Sequence, residues 1–485
     1  MKIFITGATG FIGRALVAHF SSKGYLITAW TRDVSRARDM LGEGVHLVPI
    51  DVSDEILRQE IESSDAVVNL AGRAIVGVRW NKNVKEEIYS SRVGLTKRLV
   101  RVMKLCSRQP KVLISASAVG YYGDRDWDEL VERSSSGTGF LSDLCRDWEQ
   151  AALDAEGLGT RVCTMRFGIV LAREEGILKQ VTPSFQLGLG TYTGTGKQCV
   201  PWIHIDDIVL IIGLCLRNGR ISGPVNCTSP NPVSSLVFSR TLGALTPAKM
   251  YIGIPSVLLG LLFGEGGNVL TNSQNALPAK LIDHGYEFEF PSLYDALWEE
   301  FNYEHVSIKE VESETAAANR DSALVPRGQY ELRTNVELNA LPKETFSFFS
   351  SPLNLGITTP SWMRFRIINM PVQIDKDSSI SYKISLGFGI LSLRWTTRIL
   401  DWNPDESFTD VQEKGPYNLW FHQHRVIGTD KGTSIMEDRV IYSVPLGILG
   451  KLTHMVFIKG ILIRIFNYRR KVIRQIFCSE EIRRQ

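Results

Sequence analysis

The stretch KIFITGATGFIG, residues 2–13, runs from a short β-branched segment through Gly7, Gly10 and Gly13 into the start of an amphipathic pattern. A strand that turns sharply into a helix aims free backbone N–H groups and the positive end of the helix dipole at one small volume, which suits a phosphate. Glycine is required because a Cβ would hold the backbone away from the anion. The strand, loop and helix follow in the order a dinucleotide pyrophosphate site needs, so residues 2–13 predict one.

Beyond this loop, β-branched runs alternate with helical periodicity. YLITAW, VHLVPI, AVVNLAG, KVLISAS and RVCTMRFGIV read as strands, and 11–23, 81–106 and 141–156 as helices. That alternation, from Lys2 to about Val170, predicts an α/β Rossmann-type doubly wound parallel sheet. About 20 residues past the glycines, such a fold places either an acid for a ribose 2′-OH or a cation for a 2′-phosphate. Arg32 ends the second strand and favours NADP, while Asp33, one position later, keeps NAD as the alternative.

The chain has 485 residues, 44% hydrophobic and 22% charged, which excludes collagen-like and disordered classes and asks for more than one domain. Its 55 Lys+Arg and 52 Asp+Glu leave a net charge of +3, too balanced for a nucleic-acid binder working by bulk electrostatics. The seven cysteines are scattered and never spaced as CxxC, so reduced thiols and a cytoplasmic location are expected. Apolar runs such as 208–216 and 257–263 fall short of the roughly 18–20 residues that span a bilayer. No transmembrane span is therefore expected.

Residues 303–328 are charged and rich in small side chains, and read as a linker. The grammar then changes to strands, YELRTNVEL, SISYKISL, LSLRWTTRIL, FTDVQEK, LWFHQHRVI and SIMEDRVIYSV, followed by a long helix. Met455, Ile458, Leu462, Ile465, Val472 and Ile476 give that helix an apolar stripe. Its Lys and Arg residues leave peripheral membrane contact open. Residues 329–478 thus predict an α+β domain. His422 and His424 alternate on one strand and share a face. With no third ligand at a recognisable spacing they read as ordinary strand residues, and no metal is expected.

GATGFIG, NLAG (69–72), SASAVGYYGD (115–124), MRFGIVL (165–171) and WIHIDD (202–207), in this order, resemble an extended, atypical short-chain dehydrogenase/reductase. More narrowly, residues 1–300 are similar to the NAD-dependent epimerase/dehydratase-like "epimerase family proteins", a resemblance that implies one domain with 246–300 as its uncharacterised C-terminal segment. The resemblance implies that Thr9, Phe11 and Ile12 join Gly7, Gly10 and Gly13 around the phosphates, and that Ala71 and Gly72 line the nicotinamide-side ribose. Arg92 stands where many extended relatives carry asparagine. Relatives with redox chemistry use Ser, Tyr and a Lys four residues after the Tyr. Ser117 matches the serine, but no Tyr-x-x-x-Lys occurs in the chain, and Leu141 and Cys145 occupy the places of tyrosine and lysine. Tyr121 and Tyr122 are the substitute acids the sequence offers; His204 reads as structural. Residues 329–478 resemble the SRPBCC (START-like) superfamily, which implies a helix-grip fold around an apolar ligand cavity.

Two functions follow. One is an NADP-dependent oxidoreductase or epimerase-like enzyme acting on a small carbonyl or hydroxyl substrate, with a hydrophobic ligand in the C-terminal domain. The other is a non-catalytic NADP-binding sensor whose second domain holds a lipid or a partner.

Overall fold

A computed structural model describes residues 1–173, 175–301, 306–311, 328–360, 363–371, 373–386, 391–430 and 432–477. The chain divides into two compact units, Met1–Val34 with Gly44–Asn302, and Ser35–Glu43 with Tyr303–Gln485.

In the first unit, β1 (Lys2–Thr6), β2 (Leu26–Thr31), β3 (His46–Pro49), β4 (Ala66–Asn69), β5 (Val112–Ala118), β6 (Arg161–Phe167) and β7 (Gly223–Cys227) form one sheet in the order β7-β6-β5-β4-β1-β2-β3. Every pairing is parallel. Helices cover both faces of such a sheet, which is why its strands are continuous apolar runs rather than alternating ones. All four residues of β4 are buried. Phe4, Trp30, Val67, Leu113 and Val162 share one core cluster across five strands. The strand order reverses between β1 and β4, and a crevice for a ligand opens at the carboxyl ends of the strands there.

Three helices matter for that crevice: α1 (Phe11–Ser22), α2 (Phe140–Leu153) and α3 (Ile205–Arg217). The span 81–106 expected as one helix breaks into Lys82–Tyr89, a π-helical turn Ser90–Gly94 and Leu95–Met103. RVCTMRFGIV breaks as well. A Cβ on Gly168 would lie 2.7 Å from the Pro201 carbonyl oxygen, and past this close approach Ile169–Ala172 leaves the sheet to pair with Trp202–His204.

In the second unit, β8 (Val306–Glu310), β9 (Tyr330–Leu338), β10 (Arg366–Asn369), β11 (Ser379–Leu386), β12 (Leu391–Asn403), β13 (Ser407–Lys414), β14 (Leu419–Gly428) and β15 (Ser434–Ser443) form an antiparallel sheet ordered β8-β9-β15-β14-β13-β12-β11-β10. Register shifts at Thr396/Thr397 and Ile399/Asp401 are bulges of the kind that bend a sheet. The last helix, Lys459–Phe477, buries Leu462 and Phe466 in the same cluster as Leu332, Val440 and Tyr442. Met455, expected on its buried stripe, precedes the helix and is 69% exposed.

The linker reading of 303–328 needs correcting at β8, whose five residues pair with β9 from Val306↔Thr334 to Glu310↔Tyr330. Val306 is buried and Ile308 half-buried, the alternation of an edge strand, which a charged composition masks. Residues 312–327 lie outside the described residues. Among the described residues no helix is long and apolar enough to cross a membrane.

Candidate functional site

The loop after β1 has the geometry its glycines predict. Gly7 has φ +69°, and a Cβ there would sit 2.7 Å from the Leu70 carbonyl carbon; a Cβ on Gly13 would sit 2.2 Å from the Gly7 oxygen. Gly7 must therefore be glycine for the loop to close against the loop after β4, and Gly13 for the helix to start close against the loop itself. Gly10 caps α1 with extended backbone and no side-chain hydrogen bond, so no side chain of the cap competes for the first N–H groups of the helix. Thr9, Phe11 and Ile12 are half-buried around it. The Thr9 carbonyl accepts a bond from Arg14, which also pairs with Glu175. This cradle, closed to any Cβ and capped by free amides, fits a pyrophosphate.

A buried polar chain ties the two loops together. Thr6 Oγ1 donates to Asn69 Oδ1 at 2.7 Å and accepts from the Ala71 N–H at 3.1 Å. Asn69 Nδ2 donates to Thr96 Oγ1 at 2.8 Å. Ala71 and Gly72 are thereby held at the rim of the crevice. A Cβ on Gly72 would lie 3.0 Å from Arg92 Cζ, and Arg92 donates to the Arg73 carbonyl at 2.8 Å while its guanidinium lies over the Trp148 ring. Burial pulls the Arg92 pKa down to about 10. Arg32 is exposed just past β2, beside Asp33.

The three candidate catalytic residues lie at the end of β5, Ser117 within it and Tyr121 and Tyr122 in the turn after it, and their environments differ. Ser117, 2% exposed, donates to Glu149 Oε1 at 2.6 Å. Arg166 grips the same carboxylate with two bonds of 2.8 Å and donates to the Tyr122 hydroxyl at 2.9 Å. Tyr122 is fully buried, with Asn226 Oδ1 at 2.7 Å. Burial pushes its phenol up to about 12. Tyr121 is only half-buried, and its ring lies 3.5 Å from the Arg166 guanidinium carbon. Glu149 and Arg166, which organise this network, were not singled out in the sequence, although both lie in or beside the motifs. Burial pushes the Cys145 thiol up to about 12, which makes it a poor nucleophile.

WIHIDD fastens the tail of the first unit. His204 caps α3, and its Nε2 lies 2.9 Å from Glu300 Oε1. Asp207 accepts bonds from the Tyr286 hydroxyl and the amides of Glu289 and Phe290.

The second unit has its own candidate site, a cavity of about 190 Å³ between the sheet and the last helix. Its walls are mostly apolar, among them Ile384, Trp395, Trp420, Leu462 and Phe466, with Asp410, His422, His424 and Arg469 as its acidic and basic members.

The sequence profile of the NAD dependent epimerase/dehydratase family matches residues 3–227, and that of a domain of unknown function, DUF1731, matches 254–299. The chloroplastic epimerase family protein SDR39U1 homolog of Arabidopsis thaliana is 36% identical over 299 residues, 61% of this chain and 86% of that protein. Epimerase family protein SDR39U1 of Homo sapiens is 32% identical over 303 residues, 62% of this chain and 99% of that protein. The crystal structure of the human protein (isoform 2) with NADPH is similar at a TM-score of 0.55 and 31% identity, covering 62% of this chain and 98% of that one. A nucleoside-diphosphate sugar epimerase from Corynebacterium glutamicum gives 0.51 and 30%, over 62% and 58%. With the glycine cradle, the parallel sheet and relatives matched along nearly their whole length, the chain belongs, through its first unit, to the NAD dependent epimerase/dehydratase family, among the epimerase family proteins.

Proposed function

We propose that the first unit binds NADPH and acts as an oxidoreductase or epimerase-like enzyme on a small carbonyl or hydroxyl compound. The observation that carries this is the cradle of Gly7, Gly10 and Gly13 at the crevice where the strand order reverses. NADPH in the human relative's crystal structure and the exposed Arg32 both support the phosphorylated cofactor; Asp33 leaves NAD as the weaker alternative. The chemistry the nicotinamide supplies when bound is hydride transfer.

The chain must then provide binding and a proton. Ser117 has its own hydrogen committed to Glu149, so its oxygen is left to accept from a substrate hydroxyl. Tyr121 suits the role of acid better than Tyr122, because Tyr122 is buried with its hydroxyl held between Arg166 and Asn226. The Arg166 guanidinium, 3.5 Å from the Tyr121 ring, holds that ring in place. Turnover of NADPH with a panel of small aldehydes and ketones tests the reading. Tyr121→Phe should lower kcat by about 10²-fold or more, the scale of a lost general acid, whereas Cys145→Ser should leave it unchanged.

A second reading has an observation of its own. With no Tyr-x-x-x-Lys and with Ser117 and Tyr122 locked into a buried network, the first unit would bind NADPH without consuming it and act as a sensor. Saturable NADPH binding with no turnover across the panel would select this reading.

The strand series followed by a long terminal helix around an apolar cavity supports the helix-grip, START-like reading of the second unit. A dry cavity of about 150 Å³ accommodates benzene, so about 190 Å³ suits a single ring with short substituents rather than a long acyl chain. Titration with a small quinone and a long-chain acyl probe separates the two sizes.

A further inference from the structure

The second unit brings together a cluster that the sequence keeps apart. Asp410 on β13 is paired in register with His422 on β14, and His424 on β14 with Asp438 on β15. The two imidazoles therefore stand between two carboxylates. His422 Nε2 lies 3.2 Å from Asp438 Oδ1, and its Nδ1 lies 3.7 Å from Asp410 Oδ2. His424 is turned the other way, with Nδ1 2.6 Å from Asp438 Oδ1 and Nε2 3.4 Å from Asp410 Oδ2. Arg469 of the last helix pairs with Asp438 at 3.6 Å and lies 3.5 Å from His424 Nδ1.

We infer that Asp410, His422 and His424 form a binding site for a divalent transition-metal ion in the wall of the apolar cavity, with Asp438 as the outer carboxylate that orients both imidazoles.

Three observations carry this. First, one ligand atom from each of the three residues lies within 4.8 Å of the others. The gaps of 3.4 and 3.7 Å to Asp410 are long for N–H···O hydrogen bonds. They match donors around an ion, since two atoms each about 2.1 Å from a metal at a tetrahedral angle are about 3.4 Å apart. Second, Asp438 is not among the cavity-lining residues while the other three are. Each ring turns one nitrogen to Asp438 and the other to Asp410, the arrangement in which a carboxylate behind a histidine fixes which nitrogen is free to ligate. Third, both carboxylates are largely buried, their side chains only 14% and 6% exposed, and among the described residues Asp410 has no ion-pair partner besides the two imidazoles. A divalent ion supplies the missing positive charge in a region where an unpaired one is costly.

The donor set of two imidazoles and one carboxylate selects zinc or a neighbouring first-row ion over magnesium or calcium, which prefer oxygen alone. Three protein ligands leave a coordination position facing the cavity, as in sites that bind a further ligand. The competing account is metal-free: both imidazoles hydrogen-bonded to Asp438, with Asp410 completing a buried polar network.

The test uses the full-length chain, stripped with a chelator and titrated with Co²⁺. One equivalent per chain is expected, with visible d–d bands, no thiolate charge-transfer band and displacement by Zn²⁺. Asp410→Asn, nearly isosteric, and His424→Ala should each weaken binding at least tenfold. Asp438→Asn should weaken it about 10–100-fold, the range for an outer-shell partner. Circular dichroism and thermal melting show whether each variant is folded. No saturable uptake by the wild-type chain, thiolate bands, or undiminished binding in folded Asp410→Asn and His424→Ala would each overturn the assignment. The wild-type titration decides even if a variant does not fold.

Discussion

Replacing Glu149 by Gln removes one charge from the network under the candidate site. The Glu149 and Arg166 side chains are 6% and 2% exposed, so water cannot replace the lost partner. Arg166 would keep the Tyr122 hydroxyl at 2.9 Å and the Glu132 carbonyl at 3.1 Å, but no anion. Breaking one side of a buried pair costs about 3–5 kcal/mol, because the surviving charge is stranded. Spread over a unit of this size, that lowers the melting point by roughly 5–8 °C. Ser117→Ala removes only a neutral donor and should cost about 1–3 kcal/mol. Replacing both charges, as Glu149→Gln with Arg166→Met, should cost less than the sum of the single changes by more than about 1 kcal/mol. Calorimetry of the full-length chain and its four variants measures all of this. A Glu149→Gln cost below about 1 kcal/mol, or additive single changes, would refute the reading of this pair as the anchor of Ser117 and Tyr122.

The remaining expectations concern other parts of the molecule. Burial, then the positive Lys23, lowers the His19 pKa from 6.5 to about 4; between these values the unfolded chain binds more protons, so stability is full above pH 6.5 and falls by up to about 3 kcal/mol as pH drops to 4. Melting curves of wild type and His19→Gln over this range check it, since the variant should show a shallower decline. The six described cysteines are buried, and burial pushes Cys145 to about 12, so mapping of alkylated residues after native treatment at pH 8 should find none of the six modified; rapid modification of Cys145 would contradict its burial. Asp207→Ala should leave the Glu289 and Phe290 amides without their acceptor and the Tyr286 hydroxyl with only the longer bond to the residue 207 carbonyl, at about 1–3 kcal/mol. Hydrogen exchange should then rise at those two amides while β1 stays protected.

The parts of the molecule legible in the sequence are those set by local patterns. KIFITGATGFIG announced both a strand-to-helix turn and the glycines that a close approach demands, and YELRTNVEL and SISYKISL coincide with strands β9 and β11. What stayed hidden depends on residues far apart in the chain. Glu149 sits on α2 and Arg166 on β6, and only the stacking of that helix on the sheet makes them a pair beneath Ser117. Strand β8 was masked by its charged neighbours, because a five-residue edge needs only two apolar positions. His422 and His424 lacked a third ligand at any regular spacing, yet sheet register places Asp410 directly across from His422. Cross-strand pairing is information the sequence alone does not carry.

The glycine cradle of the first unit is expected to hold NADPH in preference to NADH. Calorimetric titration of the full-length chain with each dinucleotide tests it directly, with Arg32→Ala alongside. The account predicts one saturable NADPH site per chain, NADH weaker by about tenfold or more, and a loss in Arg32→Ala of a similar factor for NADPH alone, as expected for one charge-assisted phosphate contact of about 1.5–3 kcal/mol. Equal affinities in the wild type, or no saturable binding of either dinucleotide, would contradict it.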